Sequence, residues 1–268
     1  MMQRILFSDV DGCIINELNP NFSLIQSIIN QLDDAGIVLI LATAKTAHEI
    51  ISLNHHLNLP GPFIIENGGG ILFRHPLATL YPSHDVICMD DYYLLKSGNI
   101  KPDLALLKTF SPISSILTQM IQLPHDINLS AENEKLSKIR FFTEPIYIKN
   151  LSKFELKRLK KQLHKHNIYY DSSDSFLQTY TSRNNNKGAA LKFILSTIYA
   201  DIKFTTFAIG DSFNDFSMLN RCDHAYYILN KTLKSPSPQW NLISEKGFSG
   251  WKKSIEAITS YDYLSLPH

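Results

Sequence analysis

A chain of 268 residues has room for one large domain or two ordinary ones, and an apolar fraction of 44% is enough for a real core and excludes global disorder. The formal net charge of +1 sets up no overall field, so neither nucleic acid nor a membrane surface is an expected partner. Ten scattered histidines without His-x3-His spacing, and three cysteines (Cys13, Cys88, Cys222) without Cys-x2-Cys spacing, argue against a zinc site.

Three well-separated cysteines suit a reducing compartment better than a disulfide framework. The amino-terminal stretch is interrupted by Asp9 and Asp11 and does not read as a signal peptide. The longest apolar run, Gly36 to Ala42, is too short to span a bilayer. A cytoplasmic protein is therefore expected.

In chain order, the first element is the apolar run Ile5 to Phe7, which predicts a buried central strand leading into Ser8-Asp9-Val10-Asp11-Gly12-Cys13. Residues i and i+2 of a strand share a side, so Asp9 and Asp11 sit together near the carboxyl end. That is where open α/β sheets bind ligands. Two close carboxylates call for a shared proton or cation, and a divalent metal with oxygen ligands fits. An isolated Asp-x-Asp also fits two solvated acids at a strand-to-turn junction.

Leu24, Ile25, Ile28, Ile29 and Leu32 predict a helix capped near Ser23 and stopped by Gly36. Ile37 to Leu41 predicts a second buried strand, running into Ala42-Thr43-Ala44-Lys45-Thr46 and a helix through Ile51. Strand, helix, strand is a parallel crossover unit, which delivers Thr43 to the sheet edge that carries Asp9. Thr43 fits two roles, a helix N-cap or a hydroxyl donor to an oxyanion. Pro62 to Ile65 predicts a third short strand, followed by Glu66-Asn67-Gly68-Gly69-Gly70 and a hairpin-like Ile71-Leu72-Phe73. Successive glycines imply a sharp turn or the close approach of a ligand.

From about Ser83 to Asn184 the pattern changes to short strands near 86–88, 139–142, 146–148, 167–170 and 176–181, with helices near 103–117 and 151–166. This predicts a smaller α+β domain inserted into an α/β core made of residues 1–82 and 185–268. The core resumes with a helix starting at or just before Lys187. A lysine in a first turn opposes the helix macrodipole, which makes sense if it faces an anion or the acids. Thr205 to Ile209 predicts another buried strand, ending in Gly210-Asp211-Ser212-Phe213-Asn214-Asp215 and a helix over 216–219. A strand at Ala225 to Leu229 and a helix at Trp251 to Ile258 complete the chain.

Strand ends thus supply Asp9, Asp11, Thr43, Asp211 and Asp215, and a helix start supplies Lys187. Carboxylates with one lysine and one hydroxyl make a Mg²⁺-plus-phosphate site, in which the metal neutralises the acids and polarises the phosphoryl group. Lys187 and Thr43 would hold phosphate oxygens. One aspartate can attack phosphorus to form an aspartyl-phosphate, and the other can serve as acid and base.

In Asp9-Val10-Asp11-Gly12, Thr43, Lys187 and Gly210 to Asp215, taken in that order, the sequence resembles the haloacid dehalogenase superfamily of phosphatases. The resemblance implies a Rossmann-like parallel-sheet core, Asp9 as nucleophile and Asp11 as acid/base. It also implies Mg²⁺ held by Asp9, the Asp11 backbone carbonyl and Asp211, with Asp215 supporting. The inserted segment would be that superfamily's cap.

A narrower resemblance covers nearly the whole chain. Ala44-Lys45-Thr46, Ile65-Glu66-Asn67-Gly68, Arg140 to Pro145 and Gly247-Phe248-Ser249-Gly250-Trp251 look like mannosyl-3-phosphoglycerate phosphatases. It implies substrate and phosphate binding by Thr43, Lys45, Asn67, Arg140, Lys187 and Asn214, and a small phosphorylated sugar as substrate. Cys13 stands where that family usually has threonine, and Ser175 stands where it has an arginine. Two rivals remain: another sugar-phosphate hydrolase, such as a sucrose-phosphate type, and a binding protein that keeps the site without turnover.

Overall fold

The computed structural model describes residues 2–15, 20–74, 86–89, 91–96, 144–147, 151–165, 168–172, 176–180, 185–229 and 237–261. Its centre is a five-stranded parallel sheet in the order β12-β11-β10-β1-β2, formed by β1 (Gln3–Ser8), β2 (Ile37–Leu41), β10 (Phe204–Gly210), β11 (His224–Ile228) and β12 (Asn241–Ile243). The central strands are apolar on both faces because helices cover both. Leu6, Leu39, Leu41 and Ile209 pack into one core, while Ile5, Phe7, Ile40 and Ala208 pack into a second. Ile5, Leu6 and Phe7 have no exposure, and burial of such side chains contributes about 1.5–3 kcal/mol each.

Helix α1 (Phe22–Asp34) lays Ile25, Ile28, Ile29 and Leu32 on the first core. Its cap is Asn21, two residues before the predicted Ser23, and the Asn21 side chain accepts from the Leu24 amide at 3.1 Å. Helix α2 (Ala47–Leu57) runs well past Ile51, because Leu53 and Leu57 continue its buried stripe. A capping box of Thr46 and Glu49 starts it. On the other face, α4 (Lys187–Thr197) and the short α5 (Phe216–Leu219) bring Ala190, Leu191, Ile194, Met218 and Leu219 to the second core. Helix α6 (Gly247–Thr259) returns to the first, with Trp251, Ile255 and Ile258.

Strand β3 (Phe63–Ile65) touches β2 through a parallel bridge between Ile64 and Ala42, then turns back into β4 (Gly70–Arg74). With β5 (Val86–Met89) and β6 (Tyr92–Lys96) these form an antiparallel sheet in the order β3-β4-β6-β5. Pairing of Gly70 with Lys96 through Arg74 with Tyr92 carries this sheet across the predicted boundary at 82/83. A third sheet, β7-β9-β8, contains β7 (Glu144–Tyr147), β8 (Tyr169–Ser172) and β9 (Phe176–Tyr180). Leu159 and Leu163 of α3 (Lys153–Lys165) join Ile168 and Leu177 in a separate small core. The predicted elements at 103–117 and 139–142, with Arg140 and Ser175, lie outside the described residues.

Candidate active site

The parallel register decides which residues meet. Ser8 pairs with Ile209 of β10 and with Leu41 of β2. Asp9, Asp211 and Thr43 therefore leave the sheet at the same edge, where the chain departs from β1 toward opposite sides. At Gly12 the loop takes φ +82°, and a Cβ there would lie 2.4 Å from Asp211 Oδ2. Only glycine lets the Asp211 carboxylate come so close to the loop after β1.

Lys187 is the centre of the site. It has no exposed surface, and its Nζ lies 2.6 Å from Asp9 Oδ1 and 2.6 Å from Asp215 Oδ1. Asn186 caps α4 by accepting from the Ala189 amide at 2.8 Å, which fixes the turn that presents the lysine. Burial works against the ammonium, but the Asp215 and Asp9 carboxylates outweigh it and hold Lys187 above the ordinary lysine range. Asp9 is pushed well above the usual carboxylate range, first by burial and then by the Asp215 charge, against the pull of Lys187. A bound cation would reverse that balance.

Asp215 is occupied on both oxygens. Its Oδ2 accepts from the Asp211 amide at 3.1 Å, from the Ser212 amide at 3.0 Å and from Ser212 Oγ at 3.1 Å. Expected to support the metal site, it engages Lys187 and the turn that carries Asp211. The Ser212-x-x-Asp215 capping box was a signal available in the sequence.

The Asp11 side chain is far more open than that of Asp9, at 54% against 6% exposed. It lies 2.7 Å from Lys45 Nζ, while the metal role expected of Asp11 falls to its backbone carbonyl. Thr43 is buried, and its Oγ1 accepts from the Lys45 amide at 3.1 Å. The cap of α2 is Thr46, which leaves the Thr43 hydroxyl proton available to an acceptor. Asn67 is buried, with Oδ1 accepting from Asn214 Nδ2 at 2.9 Å. Asn214 also receives a short bond from Ser212 Oγ.

Three further groups, with no site role expected from the sequence, support the site. Tyr227 donates to the Asp211 carbonyl at 2.7 Å, and its hydroxyl is pushed up to about 12, first by burial and then by Asp211 and Asp215. Trp251 Nε1 donates to Ser8 Oγ at 3.0 Å, and Ser8 Oγ donates to the Asp9 carbonyl at 2.9 Å. The sulfur of Cys13 lies with oxygens of Asp9 and Asp211, all within 4.8 Å of one another. Burial pushes the Cys13 thiol up, with Asp9, Asp211 and Asp215 adding to it, so it stays a neutral neighbour of the carboxylates. The hard oxygens of Asp9 and Asp211 suit Mg²⁺.

A doubly wound parallel sheet with these carboxylates and a buried lysine at its carboxyl edge is the scaffold of an α/β enzyme that binds its ligand at that edge. A family model described as haloacid dehalogenase-like hydrolase matches residues 6–84 and 103–234, and the chain belongs to that family. It is an enzyme, a phosphoric monoester hydrolase. It is similar to a glucosyl-3-phosphoglycerate/mannosyl-3-phosphoglycerate phosphatase of Persephonella marina, 25% identical over 95% of this chain and 96% of that protein. It is also similar to an HMP-PP phosphatase of Yersinia pseudotuberculosis, 25% identical over 100% of this chain and 97% of that protein. The fold is similar to that of a Synechocystis sucrose-phosphatase solved with sucrose and phosphate, with a TM-score of 0.60 at 15% identity, over 97% of this chain and 98% of that one.

Proposed function

We propose that the chain is a Mg²⁺-dependent phosphomonoesterase that works through an aspartyl-phosphate on Asp9. One observation carries this: Lys187 is buried between Asp9 and Asp215 at 2.6 Å from each, with Asp211 alongside. Mg²⁺ held by Asp9, Asp211 and the Asp11 carbonyl would supply charge to polarise the phosphoryl oxygens.

The remaining chemistry belongs to the chain's own residues. The Lys187 bond to Oδ1 orients the Asp9 carboxylate, and the ammonium offsets charge on the transferring group. Attack by Asp9 on phosphorus makes the Asp9–phosphorus bond as the ester oxygen leaves. Asp11, the accessible acid, gives that oxygen its proton. The same residue then takes a proton from water, which attacks phosphorus and restores Asp9 with release of phosphate. The Thr43 hydroxyl and Lys45 hold phosphate oxygens, and Lys45 exchanges its contact with Asp11 for the substrate.

The favoured substrate is mannosyl-3-phosphoglycerate or its glucosyl counterpart, hydrolysed to the glycosylglycerate and phosphate. Full-length similarity to a phosphatase of that name supports it. A second reading, another sugar or small phosphate ester, is supported by the equal identity to the HMP-PP phosphatase. Within this proposal the specificity domain, with Arg140 as a substrate contact, begins after Lys96, because β6 hydrogen-bonds to β4 and β5 to β6. A cytoplasmic location accompanies the free thiols of Cys13 and Cys222. Among the described residues no helix is long and apolar enough to cross a membrane.

The test is phosphate release across a panel of glycosyl-3-phosphoglycerates, sucrose phosphate, simple sugar phosphates and p-nitrophenyl phosphate. A kcat/KM highest for the glycosyl-3-phosphoglycerates, lost in chelator and in Asp9→Asn, is expected. Equal weak rates on all esters would remove the substrate assignment. Normal turnover by Asp9→Asn would remove the nucleophile.

A further inference from the structure

Glu66 and Asn67 both adopt the left-handed region, at φ 46° and 56°, and both are buried. Consecutive non-glycine residues rarely do this, and such a conformation persists only where surrounding contacts over-determine it. Those contacts lead to three other pieces of the site. The Glu66 amide donates to the Lys45 carbonyl at 2.9 Å, and the Asn67 amide donates to the Thr43 carbonyl at 2.8 Å. Across 147 residues of sequence, Asn214 Nδ2 donates to Asn67 Oδ1 at 2.9 Å. A Cβ on Gly68 (φ +98°) would lie 2.2 Å from the Asn186 carbonyl and 2.8 Å from the Lys187 amide nitrogen. The turn therefore touches the Thr43–Lys45 loop, the Asp211–Asp215 turn and the start of α4 at once.

We propose that Asn67 is a positioning residue, which through one backbone and one side-chain hydrogen bond sets the Thr43–Lys45 loop against the Asn214 turn. Its side-chain oxygen is engaged within the protein, so through that oxygen it serves the reaction by placing other groups. The left-handed backbone is what lets one residue do both. It turns the amide toward Thr43 while the side chain reaches Asn214, and asparagine tolerates that conformation better than other side chains.

The kinetic arm of the test rests on the phosphatase reading above; the exchange arm does not. Asn67→Gly keeps the left-handed backbone and its amide bond to Thr43 but loses the side-chain bond, and Asn214→Ala loses the same bond from the other side. Each is expected to lower kcat about tenfold, the worth of one hydrogen bond to a positioned group, with KM little changed. The double variant is expected to lose no more than either single one. The loss is expected to be the same for p-nitrophenyl phosphate and for a glycosyl-3-phosphoglycerate. Losses that multiply in the double variant, or a rise in KM confined to the glycosyl ester, would overturn the proposal. By amide hydrogen exchange, the Glu66 and Asn67 amides are expected to exchange faster in Asn214→Ala while the β1 amides do not change. Unchanged exchange at Glu66 and Asn67 would overturn it. If the native chain turns over no phosphate ester, the phosphatase reading fails and the exchange result alone decides.

Discussion

Replacing Lys187 by methionine removes the one cation that two buried carboxylates share. Lys187 and Asp215 have no exposed side-chain surface, and that of Asp9 is 6% exposed. Breaking such a pair from one side costs about 3–5 kcal/mol, because the partner charge stays buried and unpaired. Here two charges are stranded, and they also face each other. For a chain of this size each kcal/mol moves Tm by about 2–4 °C, so Lys187→Met is expected to melt roughly 6–20 °C lower in chelator at pH 8. The sign of the pH effect follows from Asp9, whose folded pKa is already raised. Loss of the ammonium raises it further. Between the unfolded value near ~4 and that raised value, only the folded state binds the proton. The variant therefore regains stability as pH falls through this window, and the gap to the native chain is narrower at pH 6 than at pH 8. Adding Asp215→Asn removes one stranded charge and is expected to recover part of the loss. Thermal unfolding by circular dichroism measures all three. A Tm change under about 2 °C, independent of pH, would refute the claim that this ammonium is shared by two buried acids.

Gly12→Ala introduces a methyl group 2.4 Å from Asp211 Oδ2 at φ +82°. It is expected to cost about 1–2 kcal/mol in stability from the backbone alone. By displacing the carboxylate it is also expected to weaken Mg²⁺ binding at least tenfold in a calorimetric titration, and unchanged affinity would contradict the proposed ligand set. Trp251→Phe keeps most of the packing and deletes the bond to Ser8 Oγ. A loss of about 1 kcal/mol from the hydrogen bond is expected in urea unfolding, with a few-fold fall in kcat. Raising the pH above about 10.5 is expected to destabilise the native chain. A lysine held above its unfolded value contributes stability that is complete below that value and lost as pH climbs toward the folded one. A stability plateau that continued to higher pH unchanged in Lys187→Met would deny the lysine this part.

The strands that carry chemistry were legible because they are the most buried. Ile5 to Phe7, Ile37 to Leu41 and Thr205 to Ile209 are apolar runs that only a sheet covered on both faces accommodates, and each runs into a polar turn. Lys187 was legible through a conflict, a cation in a first helical turn, which Asp9 and Asp215 resolve. Strand β12 was not, since Asn241 and Leu242 are exposed and three residues give no period to detect. The β4–β6 pairing was hidden for a different reason: a change of texture near residue 83 marks composition, and hydrogen bonding need not follow it. Long-range single bonds left no trace in sequence. Neither Trp251 to Ser8 nor Asn214 to Asn67 could be inferred from spacing, because each depends on the completed sheet.

Charge balance explains why these residue types occur together. Two buried carboxylates, those of Asp9 and Asp215, share one ammonium, that of Lys187, with Asp211 close to Asp9, while Asp11 and Lys45 pair at the rim. The buried pair of acids and its lysine thus favour a proton on one acid or a divalent cation nearby. Protonation would fall on Asp9, whose carboxyl is already raised, and would disarm it in the nucleophilic role proposed above. A divalent cation satisfies the same need and leaves Asp9 ionised. Under the proposed mechanism this arrangement would link catalytic competence to the presence of the metal.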